Sequence, residues 1–283
     1  MGNAIEVAEL VKTYGELHAV NGLDLEIEEG HIFALLGPNG AGKSTTVEIL
    51  EGFRKRTSGH VSVLGADPEK AGRAWREKLG IVLQSTAVSS LLTVRESVTH
   101  MAHLYPHPRE VDEVIDAVGL TEKADAKAMS MSGGQQRRLE VALAVVGRPE
   151  LVFLDEPTTG FDPDVRRAFW KLIRSIKDDG STIVLTTHYL DEADYLADKV
   201  AIIAQGAKVA EDTPAGLRGR AGEAVVRWRD ASGAHEKRTT TPTAFARTLL
   251  AKHKGEVPDL EISRPSLEDV YLDLTDLRTE EDS

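Results

Sequence analysis

Between Ile5 and Val11, and again between Leu23 and Ile27, apolar residues largely alternate with acidic ones, the period-2 pattern of a strand with one buried face. These segments predict a small antiparallel sheet at the start of the chain. From His31 the pattern changes. Ile32-Phe33-Ala34-Leu35-Leu36 is apolar throughout and runs into glycines, as expected of a strand buried on both faces. Comparable runs return at Leu151–Leu154, Ile183–Thr186 and Val200–Ala204, with helical stretches at Gly134–Val146 and Asp164–Lys177 between them. Buried strands alternating with helices predict a parallel sheet with crossover helices.

A long insertion separates the first buried run from the second. Within it, over about Pro106 to Met131, Val111, Val114, Ile115, Val118 and Leu120 recur at helical spacing, which predicts a helical subdomain. After about Pro214 the composition shifts: Ala224–Trp228 is strand-like, Thr239–Thr243 polar and Ala244–His253 helical, so the last part of the chain reads as a separate small module. The acidic end, Glu280-Glu281-Asp282-Ser283, reads as a solvated tail.

Composition narrows the function classes. The 46 acidic residues against 34 basic ones give a formal charge of −12, which disfavours a grip on the phosphate backbone of nucleic acid. The absence of cysteine excludes disulfides, thiolate metal sites and cysteine redox chemistry. No apolar run approaches the ~20 residues that cross a bilayer. Met1 to Glu6 lacks the basic and apolar regions of a signal peptide, and Glu6 spoils a myristoylation signal at Gly2. The expectation is a cytoplasmic protein that reaches membranes only through a partner.

The strongest chemical signal follows the first buried run. Gly37-Pro38-Asn39-Gly40-Ala41-Gly42-Lys43-Ser44-Thr45 matches the P-loop pattern and leads into a helix. Glycines are required because backbone N–H groups must turn towards phosphate oxygens, and the helix N-terminus adds its positive end. Lys43 supplies a cation for the terminal phosphates of ATP and Ser44 a hydroxyl for Mg²⁺, with Thr45 next on the helix near the α-phosphate. The run Leu151-Val152-Phe153-Leu154 ends in Asp155-Glu156. Beside a P-loop, the first acid is placed to hold Mg²⁺ and the second to polarise the attacking water.

Met131-Ser132-Gly133-Gly134-Gln135 precedes a helix and lies upstream of the acid pair. Taken alone it is an N-cap with a flexible turn; in this order among the other motifs, residues Ile5 to Pro214 resemble the ATP-binding cassette family. The resemblance implies an α/β P-loop NTPase fold with a RecA-like parallel core, an N-terminal antiparallel β-subdomain, a helical signature subdomain at about 86–146 and a small α+β C-terminal domain. The corresponding boundaries are 4–214 and 220–276, with a disordered tail at 277–283. It further implies that Ser132, Gly133, Gly134 and Gln135 bind the γ-phosphate of ATP held by a second copy of the chain. Met131 stands where the family usually has Leu, and Phe161 likewise.

The remaining site residues are carried over on the same resemblance. Tyr14 matches the aromatic residue that stacks on adenine, and Gln84 the glutamine that touches Mg²⁺ and the attacking water and senses a transmembrane partner. Asp162 matches the loop that crosses the dimer interface, and His188 the histidine on the γ-phosphate. The implied protein is an ATPase dimerising around ATP and Mg²⁺, peripheral on the inner face of the membrane through a separate permease. The segments Gly80–Thr86, Gly134–Glu140 and Pro265–Leu272 resemble the daunorubicin-resistance branch of exporters, which implies drug or antibiotic efflux. Export of lipid, polysaccharide, peptide or sodium would use a similar motor. A non-transport ATPase of the same family, acting on nucleic acid or as a regulator, is the reading from another class.

Overall fold

The alternation at the start of the chain becomes two long strands, β1 (Asn3–Tyr14) and β2 (Leu17–Glu28), paired antiparallel. Glu9 lies in the left-handed region (φ 48°) at a bulge between Val7 and Leu10. The extra residue re-phases the strand, so that Ile5, Val7 and Leu10 all bury on one face. The next strand, β3 (Ile32–Leu36), is buried at every position and feeds α1 (Lys43–Leu50); β4 (Ser58–Val63) then joins β1 to give the sheet order β2-β1-β4. Val47, Ile49 and Leu50 of α1 share one apolar core with Ile5, Leu25 and Ile27 from this sheet and with Phe33, Phe153 and Val184 from the central one. The computed structural model describes residues 2–83, 91–220, 224–230, 232–253, 256–263 and 266–272. The chain divides into two compact units, Met1–Val209 and Ala210–Ser283.

After the short helix α2 (Arg73–Arg76), the strands β5 (Leu79–Val82), β6 (Leu151–Asp155), β7 (Thr182–Thr187), β8 (Lys199–Ala204) and β9 (Ala207–Asp212) complete a six-stranded sheet in the order β5-β6-β7-β3-β8-β9. The pairs β5/β6, β6/β7, β7/β3 and β3/β8 are parallel. Gln205 and Gly206, both at positive φ, make the two-residue turn into β9, as a type I′ hairpin requires. In the parallel register Leu36 stands beside Thr187, and Asp155 beside Thr186. The loops that follow β3, β6 and β7 therefore leave one edge of the sheet side by side, the edge at which such folds bind ligands.

The insertion holds α3 (Val94–Ala102), α4 (Val111–Ala117) and α5 (Gly133–Val145). Within the segment from Pro106 to Met131, the apolar spacing from Val111 to Leu120 forms α4 only as far as Ala117. The helix ends where Gly119 turns to φ 67°, and two single 3₁₀ turns, Thr121–Lys123 and Ala128–Ser130, carry the chain to α5. Downstream, α6 (Pro163–Asp178) and α7 (Leu190–Leu196) follow β6 and β7.

The second unit contains α8 (Pro214–Arg220), the strands β10 (Ala224–Asp230), β11 (Gly233–Thr239) and β12 (Glu261–Ser263) in the antiparallel order β11-β10-β12, and α9 (Pro242–Lys252). Residues 267–272 are helical. Trp228 is central to this unit, stacked on His235 at 5.1 Å between ring centroids and packed against Phe245 at 5.4 Å.

Candidate nucleotide site

The loop between β3 and α1 begins and ends on glycines, Gly37 and Gly42, that leave no room for a side chain. A Cβ on Gly37 would stand 2.2 Å from the carbonyl oxygen of Ile203, and one on Gly42, at φ 99°, would stand 2.3 Å from that of Ala19. Pro38, Asn39 and Gly40 form the exposed rim, while Ala41 is buried and bonded through its N–H to Pro38 O at 3.2 Å. Lys43 opens α1 and arches back, its ammonium donating to the carbonyls of Gly37 (2.9 Å) and Pro38 (3.1 Å). Burial lowers the Lys43 pKa, opposed by the charges of Glu156 and Asp155. Ser44 is exposed beside it, with its hydroxyl 3.5 Å from Asp155 Oδ1, and Thr45 is half-buried.

The acid pair is held from the neighbouring strand. Thr186, fully buried in β7, donates its hydroxyl to Asp155 Oδ1, and its hydroxyl and carbonyl oxygens both accept from Glu156 N, at 3.0 and 3.2 Å. Glu156 itself sits at φ 44°, a left-handed conformation uncommon outside glycine. Its nearly buried carboxylate accepts from Thr159 Oγ1 at 3.2 Å and lies 3.3 Å from His188 Nδ1. The structure thus brings Lys43, Ser44, Asp155, Glu156 and His188 to one place.

A second group forms around the start of α5. Ser132 caps this helix reciprocally with Gln135: Gln135 N donates to Ser132 Oγ at 3.4 Å, and Ser132 N donates to Gln135 Oε1 at 3.1 Å. Ser132 to Gln135 line a cavity of about 460 Å³ together with Arg138 and Asp162. Asp162 is exposed at the start of α6 and makes no side-chain capping bond. No P-loop residue is among those lining this cavity. Tyr14 ends β1 with its ring partly exposed, flanked by the Lys12 ammonium at 4.8 Å and the Arg54 guanidinium at 5.5 Å. Gln84 and the tail at 277–283 lie outside the described residues, as do Ser85, Thr86 and Pro265 of the branch-like segments.

Several supporting residues belong to no motif in the sequence. Thr186 is one, and a polar residue in an otherwise apolar run was its signal. Glu192 on α7 is another: it is fully buried and accepts from Thr158 Oγ1 (2.9 Å) and Trp170 Nε1 (3.1 Å), and burial raises its pKa. It joins the helix after His188 to the segment after Glu156.

A glycine-rich loop between a buried strand and a helix, with an acid pair at the end of a parallel strand two places along the same sheet, defines a P-loop ATPase. Residues 20–159 match the ABC transporter family. Along its length the chain is 37% identical over 314 residues to the daunorubicin resistance ATP-binding protein DrrA2 of Streptomyces coeruleorubidus, covering 99% of this chain and 97% of that one. It is 35% identical over 293 residues to the Nod factor export ATP-binding protein I of Burkholderia orbicola, covering 96% of each. A crystal structure of the ADP conformation of an ATP-binding cassette of an ABC transporter shares the fold at TM-score 0.67 and 23% identity, over 75% of this chain and 92% of that one. So does a dimeric cassette in a post-hydrolysis state bound to ADP and Pi, at TM-score 0.66 and 24% identity, over 74% and 98%. The chain belongs to the ABC transporter family, as an ATP-binding, ATP-hydrolysing subunit. Among the described residues, no helix is long and apolar enough to cross a membrane.

Proposed function

We propose that this chain is the motor of an ABC exporter, that two copies close around two ATP molecules, and that the cycle drives a permease carried on a separate chain. The observation behind this reading is the meeting of Ser44, Asp155, Glu156 and His188 at the mouth of the loop that carries Lys43. Phosphoryl transfer needs positioning and charge neutralisation more than covalent help. Loop N–H groups and the desolvated Lys43 ammonium bind and orient the terminal phosphates, Tyr14 stacks on adenine, Glu156 holds the attacking water, and His188 contacts the γ-phosphate.

Mg²⁺ fits this donor set. The Ser44 hydroxyl and the Asp155 carboxylate converge as hard oxygen ligands, with Gln84 as a third candidate. Among the described residues no cluster of three or more His, Cys, Asp or Glu could hold a metal, which suits an ion completed by phosphate and water. When bound, Mg²⁺ neutralises charge on the phosphate oxygens.

The cavity at α5 is the second half of a split site, with Ser132 to Gln135 taking the γ-phosphate of the partner's ATP and Asp162 crossing the interface. Gly133 supports this: beyond its own helix backbone and chain neighbours, a Cβ there would meet nothing within 4 Å among the described residues, so packing among them does not require the glycine. A permease is supported by a groove of about 430 Å³ whose walls include the exposed Ile81 and Leu83, with Met101, Tyr105 and Leu143. Docking there would hold the chain peripherally on the inner face of the cell membrane. We assign residues 4–214 to the ATPase domain, with its helical subdomain at about 86–146, and 220–276 to an accessory domain that stabilises the dimer. Near full-length similarity to a daunorubicin resistance protein favours drug or antibiotic efflux. Similarity to a Nod factor export protein supports, as a second reading, a motor for other exported cargo. No nucleic-acid partner is proposed.

Glu156→Gln tests the catalytic assignment. The variant should bind ATP as the wild type does while losing nearly all turnover, read by equilibrium ATP binding and phosphate release. Full turnover in that variant would remove Glu156 from its role.

A further inference from the structure

Arg137, in the first half of α5, is buried, and its side chain points away from the cavity lined by its neighbour Arg138. Its Nε donates to the carbonyl of Pro157 at 3.1 Å and its NH2 to the carbonyl of Asp155 at 2.8 Å. Those two carbonyls flank Glu156. Its NH1 donates to the carbonyl of Leu83, the residue before Gln84, and to Glu140 Oε2 at 2.7 Å. One guanidinium therefore ties the signature helix to the backbone on both sides of Glu156 and to the end of β5.

Glu156 needs such a hold. At φ 44° its backbone is strained, and strain of this kind persists only where the surroundings over-determine it. Thr186 fixes the Glu156 N–H from one side; Arg137 fixes the carbonyls before and after it from another. A planar fork of five donors can grip two carbonyls two residues apart, whereas the compact ammonium of lysine acts as a single point.

We propose that Arg137 is a positioning residue for hydrolysis: it holds Glu156 in its left-handed conformation and couples that geometry to α5 and to the segment leading into Gln84. The proposal rests on the reading that Glu156 holds the attacking water. It makes displacement of either α5 or the end of β5 felt at Glu156 through one side chain. Glu140 neutralises the guanidinium without touching the acid pair's backbone, so the ion pair and the clamp can be separated by mutation.

The test uses the full-length protein. Arg137→Lys should lower kcat roughly 10–100-fold, the range expected when a reacting group is misplaced by about an ångström, with KM for ATP and the thermal midpoint little changed. Arg137→Gln, which offers donors of a different reach, should fall similarly. Glu140→Gln, which keeps the backbone clamp, should turn over within about twofold to threefold of wild type. Added to Glu156→Gln, Arg137→Lys should cause no further loss, because the residue it positions is already disabled. Wild-type kcat in Arg137→Lys, an equal fractional loss in the Glu156→Gln background, or an equal loss in Glu140→Gln would overturn the proposal. So would failure of both Arg137 variants to fold, since the clamp would then serve folding rather than turnover. If Glu156→Gln alone keeps full turnover, the fault lies with the role of Glu156; if it is inactive while Arg137→Lys is normal, only the clamp fails.

Discussion

Gly37 of the P-loop and Gly133 of the proposed second half-site are glycines for opposite reasons. At Gly37 the constraint is internal, because a methyl group would collide with the Ile203 carbonyl. Gly37→Ala should therefore destabilise the fold by about 1–3 kcal/mol and weaken ATP binding together. At Gly133, its own helix backbone and chain neighbours aside, nothing among the described residues stands within 4 Å of a Cβ. Gly133→Ala, in the first turn of α5, should leave the fold at least as stable, since alanine is the better helix former by about 0.5–1 kcal/mol. Its turnover should nevertheless collapse, because the added methyl enters the space that the partner's phosphate must occupy. Denaturant midpoints and phosphate release separate the two cases; a stable Gly133→Ala protein with normal turnover would leave the second half-site without its main support.

Among the elements, α1 carries an acidic rather than a basic C-terminal end. Glu48 lies in its last turn and Glu51 at its cap, where the helix dipole favours cations. Burial pushes Glu51 up to about 8, with smaller contributions from the charges of Asp155 and Glu48. Because its folded pKa is raised, the folded chain keeps a proton that the unfolded chain releases near the ordinary carboxylate range. Stability contributed by this group is thus intact below about 4.5 and lost as pH rises to about 8. Glu51→Gln should flatten that slope and exceed wild-type stability at pH 9, read from urea midpoints at pH 5, 7 and 9 without Mg²⁺; parallel slopes would contradict it. How far the elements could be read from sequence follows from burial. β3, β6 and β7 were legible by their apolar stretches Ile32–Leu36, Leu151–Leu154 and Ile183–Leu185, because both faces of each strand are covered. By contrast β4, with its first three residues exposed, and β9, mostly half-buried, alternate too weakly to stand out. α3 has mixed polarity as well, and the reciprocal cap made by Thr93 and Glu96 lies outside any apolar pattern. The P-loop and the acid pair were legible as motifs because their chemistry fixes both residue type and spacing. Arg137, Thr186 and Glu192 were not, since they act through backbone carbonyls and hydroxyls that only the packed sheet brings within reach.

For the whole molecule, the central claim is that neither half-site works alone: Lys43, Asp155, Glu156 and His188 of one copy act on ATP that Ser132 to Gln135 of the other must close upon. The most direct measurement is ATPase turnover against protein concentration, for the wild type and for an equal mixture of Lys43→Ala and Ser132→Arg chains. Each variant alone should be inactive. A mixed dimer has one site in which an intact P-loop meets an intact signature segment, so specific activity should rise with concentration and the mixture should recover one working site per mixed dimer. Turnover independent of concentration, with a mixture as inactive as its components, would contradict the split site.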